Sequence, residues 1–314
     1  MRATVIGAVL IGLVSAAVPA QAQVSPTQAQ ASCAWVASDL PLPAGVTGGR
    51  VVAAGPNGYL AGHARLGGML VWHNRVLNQL TVPAGTTTMI NAVNGRGDVV
   101  GYDVPNSKAF LHRDGVYRVL PSPAGQRAEA VAINESGDVV GYLGDGAAPY
   151  EAVVWKADQP DTYRVLGWGK AVGIDDAGRV VTESGEIHHP DGTSTHLDGY
   201  PSLRIERYED GHILGRHWDE LNYLREWDVT GAQVRRWDPM VSSHTGINAG
   251  GLLALWYFKY GNRGNTLGVW RGGTFISDVG PRINVNAVTD ADELAGSREV
   301  VAGQPWKPAT WTCG

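Results

Sequence analysis

Apolar residues along this chain come in short runs with period-two alternation, broken by Gly, Asn, Asp and Pro. Successive strand residues face opposite sides of a sheet, so this pattern predicts half-buried β-strands. The clearest stretch reads as four strands in a row. Residues 129–134 are the first, Glu135-Ser136-Gly137 is a turn, and 138–142 are the second. Residues 143–150 form a loop and 151–156 the third strand; a turn carrying Pro160-Asp161 then leads to a fourth at 163–166. No segment keeps a helical period over ten residues.

That unit recurs. The pattern Gly-x-apolar-apolar-Gly, or a near variant of it, is anchored at Gly58, Gly97, Gly137, Gly178, Gly211, Gly250 and Asp292. A second landmark, Trp72, His112, Trp155, His189, Trp227, Trp270 and Trp311, keeps the same period of about 40 residues. Four strands per repeat and seven repeats predict an all-β, seven-bladed β-propeller over 33–314. One blade cannot bury both of its faces, whereas a closed ring of blades can, and closure removes exposed sheet edges. The seventh copy, Asn284 to Thr312, stops after its third strand, and residues 34–40 supply a candidate fourth. The only two cysteines, Cys33 and Cys313, fall at that seam, which favours a disulfide between them. Closing so long a loop would contribute about 4–5 kcal/mol in the chain-entropy picture.

The first residues differ from the rest. Met1-Arg2, an apolar run to Val18 and the small-x-small site before Ala22 predict a signal peptide over 1–22, with 23–32 a loose mature start. The run is shorter than the ~20 residues that cross a bilayer, and no membrane insertion is expected. Net charge is −5, from 25 basic and 30 acidic residues, with no basic run. This argues against a nucleic-acid partner, which needs a cationic face. A monomer is expected.

Two segments carry a family resemblance. Ala130 to Tyr142 (AVAINESGDVVGY), and more weakly Ile90 to Tyr102 with Lys108-Ala109-Phe110-Leu111-His112-Arg113-Asp114-Gly115, resemble the HAF-type extracellular repeat family. Where that repeat has His-Ala-Phe, this chain has Lys108-Ala109-Phe110 and Glu151-Ala152-Val153. The resemblance spans most of the mature chain, strongly in copies two and three and loosely in copies four to seven. It implies the repeat fold and export, and brings no catalytic residue with it.

Motifs for chemistry are sparse. There is no His-Glu-x-x-His, no calcium loop, no Gly-x-Ser-x-Gly elbow, and the glycines of 45–49 lack a phosphate-loop lysine. No metal or cofactor is expected. His112 and His189 occupy the tryptophan slot and read as packed rings. His188, His189 and His196 have loose metal spacing, but adjacent strand residues point apart.

Departures from the repeat are better guides. Two small or apolar positions recur in the innermost strand: Val51, Ile90, Ala130, Ala171, Arg204, His244, Val285, and then Ala53, Ala92, Ala132, Gly173, Glu206, Gly246, Ala287. Copy five thus puts Arg204 and Glu206 two apart on one face, either as a structural ion pair or at the channel mouth, and copy six adds His244. The loops between second and third strands of the last blades are also unusual. They carry Arg216, His217, Trp218, Asp219 and Glu220, then Trp256, Tyr257 and Tyr260, then Arg298 and Trp306. Aromatic faces beside charged groups suit ring-bearing, hydroxyl-rich ligands. Two functions follow. One is a secreted binding module for an extracellular small molecule, glycan, cell-wall fragment or protein on the loop face of blades five to seven. The other is a metal-independent, glycan-directed hydrolase or lyase. In it Glu206 or Glu183 would be the base, His217 or His244 the acid, and Arg204 or Arg216 the anion anchor.

Overall fold

Seven four-stranded antiparallel sheets follow one another along the chain, as the repeat requires. The structure is a computed structural model, and it describes residues 33–146, 148–237, 241–258 and 265–314. The segments 1–22 and 23–32 lie outside the described residues, as does Tyr260. Blades one to six run Gly49–Leu80, Thr88–Val119, Arg127–Trp168, Ala171–His196, Leu203–Arg236 and Val241–Asp278. The seventh is made of Ile283–Val288, Leu294–Arg298 and Lys307–Cys313, completed by the N-terminal strand Trp35–Asp39. That strand pairs antiparallel with the last one, Trp35 opposite Cys313. Cys33 and Cys313 are disulfide-bonded with their Cα atoms 5.3 Å apart, and Arg298 reaches Asp39 across the seam at 2.7 Å.

Between neighbouring blades the core is apolar. Leu60, Leu70 and Trp72 of blade one, for example, pack with Ala287 and Ala295 of blade seven. The tryptophan slot explains itself here. Trp72 donates its indole N–H to the Pro41 carbonyl at 2.8 Å, Trp155 to Pro121 at 2.9 Å, and Trp227 to Asp198 at 2.9 Å. A large ring fills the layer while its one polar atom fastens the chain entering the blade. His112 does the same work in blade two. Burial pushes its pKa down, against an imidazole hydrogen bond to the Thr81 backbone. In blade four the slot belongs to His188, which pairs with Val180 as Trp72 pairs with Leu60. His189 instead is half-buried and bonds Thr195 Oγ1 at 3.0 Å. The strands of that blade are only three or four residues long, so a count of residues misplaces the register by one.

Every inner strand carries a β-bulge, an extra residue that bends the strand. The bulge explains the second glycine of the repeat. A Cβ on Gly62 would lie 1.9 Å from the Arg50 carbonyl oxygen, and on Gly141 1.8 Å from that of Glu129. The pairing also corrects the reading of blade five, whose first hairpin turn, Asp210-Gly211, is one residue shorter than Pro56-Asn57-Gly58 of blade one. Ile205, not Arg204, faces the glycine of the second strand (Gly215), and Arg207 takes the place that Ala53 has in blade one. Glu206 is the bulged residue itself. In blade six the turn glycine with positive φ is Gly251 rather than Gly250.

Candidate functional site

Antiparallel meanders give the ring two faces. The first-to-second and third-to-fourth turns lie on one, here called the turn face. The second-to-third loops and the connections between blades lie on the other, the rim.

The turn face is regular. Asn94 accepts the backbone N–H groups of Arg96 and Asp98 and donates to the Asn134 carbonyl of the next blade at 3.1 Å. Asn134 repeats this toward Asp175 at 3.0 Å, and Asn248 toward Thr289 at 2.8 Å. Each amide closes its own turn and ties on the following blade. Acidic groups gather inside this ring. Partial desolvation, then the charges of Glu209 and Asp290, raise the Asp210 carboxyl to about 6.

The rim is irregular. One register step toward it from Val51 and its equivalents, the inner strands carry Arg50, Met89, Glu129, Arg204, Ser243 and Asn284. Their cross-strand partners are His63, Tyr102, Tyr142, Arg216, Trp256 and Ser297. No two blades repeat a pair. Exposed large apolar side chains also divide unevenly. Among the described residues the exposed rings Trp168, Tyr200, Trp218, Phe258 and Trp306 stand on the rim, with Leu66, Val104, Leu221, Val300 and Val301, while Phe275 and several valines, among them Val76 and Val116 beside third-to-fourth turns, stand on outer strands.

Blade five is the densest part of the rim. Arg216, with its side chain 5% exposed, donates from Nε to Glu206 at 3.1 Å and from a terminal nitrogen to the Leu221 and Val241 carbonyls. His244 of blade six lies 3.3 Å from the other Glu206 oxygen. Burial, then Arg207 and Arg216, lower the His244 pKa to about 3, so its imidazole is neutral. Arg204 is 4.0 Å from Glu206, half exposed, and lies over the Trp218 ring at 5.8 Å. Of the six groups named for the enzymatic reading, Glu206, His244, Arg204 and Arg216 thus meet, with Glu206 as their hub. His217 does not join them. It points away from Arg216, beside Gly199 and 6.4 Å from the Trp227 ring.

The other sequence candidates scatter. Glu183 is half-buried beside Gly169. Asp219 is exposed, and Glu220 accepts from Arg225. Tyr257 is buried between blades and donates to Asp278 at 2.8 Å, so it belongs to the core rather than a shelf. Trp256 packs toward blade seven with Trp35 and Ile283. Arg298 serves the seam, and Trp306 is partly exposed beside Gly48.

A second polar group on the rim was not singled out by sequence. Tyr142 and Tyr150 flank the loop of blade three, edge to face at 5.2 Å. Lys170, at the start of blade four, places its Nζ 4.5 Å from one ring centre and 4.3 Å from the other. Tyr142 donates its hydroxyl to Glu129, which also accepts from Asn91 at 3.0 Å. Burial, then that bond, push the phenol pKa up, so Tyr142 stays a donor. Nearby, burial and Arg50 lower His63 to about 4, and His63 Nε2 accepts the Ile90 N–H at 3.0 Å.

The inner strands enclose a central cavity of about 580 Å³. Its walls run from Asn91, Glu129 and Glu206 near the rim, past Ala53, Ala92 and Ala132, to Asp176, Asp210 and Asp290 at the turn face. Small residues at the narrow middle leave the space open, and Arg207 intrudes where the other walls have alanine or glycine.

No protein-family model matches the chain, and the comparison with curated proteins finds no relative. Solved structures do match in fold. A streptogramin B lyase superposes with a TM-score of 0.59 at 13% identity, covering 89% of this chain and 98% of that one. An oligogalacturonate lyase in complex with manganese gives 0.57 at 12%, covering 82% and 85%. The WD40 β-propeller domain of Doa1 gives 0.55 at 12%, covering 89% and 97%. At such identities the likeness is one of architecture. A β-propeller fits a binding or interaction protein. Among the described residues no helix is long and apolar enough to cross a membrane. The disulfide is compatible with export.

Proposed function

We propose that this is an exported binding protein whose ligand, a glycan or cell-wall fragment, rests on the rim over blades five to seven. The observation that carries this reading is the gathering of most exposed aromatic side chains on the rim, around a ring of inner-strand residues that no two blades share. Flat aromatic surfaces such as Trp218 and Trp306 stack on sugar rings, and guanidinium groups such as Arg204 bind hydroxyls or acids. The HAF-type resemblance and the disulfide support export.

The hydrolase or lyase alternative has less support. A base must be free to take a proton. Glu206 is engaged by Arg216 on one oxygen and flanked by His244 at the other, and His217 faces elsewhere. The two lyases share this architecture at 12–13% identity, which carries no residue across.

The test is a screen of the mature protein against glycans and cell-wall polymers, with Trp218→Ala/Trp306→Ala alongside. Binding by the native chain is expected, lost in the variant while its Tm stays within about 2 °C. Unchanged binding by the variant overturns the reading, and release of shortened product favours the enzyme.

A further inference from the structure

We infer that Lys170, held between Tyr142 and Tyr150, is the anchor of a binding subsite for a carboxylate-bearing sugar, at the part of the rim shared by blades three and four. The proposal rests on the rim being the ligand face, but it concerns residues that the reading of blades five to seven does not use.

Three observations support it. First, the site is built. Tyr150 lies flat over Gly144, where a Cβ would come 2.7 Å from the ring, and its carbonyl accepts the Gly169 N–H at 2.8 Å. The loop of blade three is thereby tied to the residue just before Lys170. Tyr142 is fixed by its hydroxyl bond to Glu129, and Glu129 is fixed in turn by Asn91. Rings and carboxylate are set before any ligand arrives, which lowers the entropy lost on binding.

Second, the cation is available. The Lys170 ammonium lies against the two ring faces, and among the described residues no carboxylate forms an ion pair with it. Aromatic faces hold an ammonium in place without neutralising it, so its full charge remains for an anion. Glu183 on the adjacent strand, whose N–H bonds the Lys170 carbonyl at 2.8 Å, makes no ion pair with its ammonium, and Glu129 is already committed to Tyr142 and Asn91.

Third, the shape selects the ligand. A lysine beside two tyrosine rings offers one charged donor next to apolar faces. A pyranose ring bearing a carboxyl group matches that pairing, because the ring stacks while the carboxylate meets the ammonium. Lys170 begins blade four and Arg204 lies near the start of blade five. An acidic oligosaccharide could therefore bridge the two cations.

The experiment titrates the mature protein calorimetrically with three probes: a hexuronic acid tetramer, the same tetramer with its carboxyls reduced to alcohols, and a sulfated neutral tetramer. The native chain is expected to prefer the carboxylate form. Lys170→Met is expected to weaken that form at least about tenfold, leave the reduced form unchanged and keep the Tm within about 2 °C. Lys170→Arg is expected to retain most of the affinity, which separates loss of charge from loss of fold. Equal binding of carboxylate and reduced forms, a preference for the sulfated probe, or native-like binding by Lys170→Met overturns the proposal. Neutral glycans bound in a Trp218-dependent way, without any carboxylate preference, would sink this subsite and leave the general binding reading intact. A rim that binds no saccharide would sink both.

Discussion

On the turn face, Asn94, Asn134 and Asn248 sit at the same step of their blades and make the same bonds to their own turn and to the next blade. Three residues back along the inner strand, on the way to the rim, the corresponding bulged positions hold Asn91, Val131 and Thr245. Asn91 donates to the Ala130 carbonyl and Glu129, Val131 offers only a hydrocarbon, and Thr245 bonds back to Ala254. The two ends of one strand are under different constraints. Turn residues bond the main chain of the neighbouring blade, which is the same in every copy, so one side chain suits all. Asn91 still reaches the main chain of the next blade, but Val131 and Thr245 at the same step do not, and the residues beyond the bulge meet other side chains and solvent, so each blade can differ there without cost to closure.

Substitutions test that contrast, beginning with the largest effect. Asn134→Ala removes a buried amide that bonds two blades, and chemical denaturation should show a loss of about 3 kcal/mol. A loss below ~1 kcal/mol would mean that the turns do not hold the ring. Glu206→Ala is next. It leaves the Arg216 guanidinium buried with only carbonyl partners, and the expected loss is about 2 kcal/mol. A native-like Tm would instead free Glu206 for chemistry and revive the enzymatic reading.

Histidine titration sharpens the contrast within the rim. His63 has a folded pKa near 4, below its unfolded value of about 6.5, so it stabilises the neutral-pH fold. That contribution is present above pH 6.5 and is lost as pH falls toward 4. The native chain should therefore lose up to about 2 kcal/mol more than His63→Gln between pH 7 and pH 5. Parallel pH profiles would contradict the bond to Ile90. Asp210 has the opposite sign. Its folded pKa of about 6 lies above the unfolded value, so its ionisation destabilises the fold as pH rises through 6. Asp210 is solvent-accessible and screened, so Asp210→Asn should gain no more than about 1 kcal/mol at pH 8 and nothing at pH 4. The smallest stability effect belongs to Trp218→Ala, within about 0.5 kcal/mol, because an exposed ring leaves no cavity.

The fold was legible because the repeat states each structural rule seven times. The anchor Gly137-Asp138-Val139-Val140-Gly141 shows a turn glycine, a buried pair and a glycine under the bulge, and each has one physical cause. The seam was equally legible, since a missing fourth strand and two cysteines point to one closure. Register was less so. The first hairpin turn of blade five, Asp210-Gly211, is one residue shorter than Pro56-Asn57-Gly58 of blade one, so equal spacing puts Arg204 where Ile205 sits, and the short strands of blade four put His189 where His188 sits. The site was legible only where it broke the repeat. Glu206, Arg216 and His244 stood out as charges among small residues. Tyr142 did not, because it lies in the best-matching copy and reads as repeat. The signal available was Lys170, a cation one residue before an inner strand in a position that Met89 fills with hydrocarbon. Tyr257 misled, since an aromatic run in sequence says nothing about which alternate residue faces the core.

Hydrogen–deuterium exchange of the mature protein, alone and with a ligand recovered from the glycan and cell-wall screen, tests the division of faces most directly. Protection is expected in the rim segments 148–150, 197–202, 218–224 and 299–306, with the turns 134–138, 210–211 and 289–293 unchanged. Protection confined to those turns would place the ligand at the acidic end of the cavity and contradict the account.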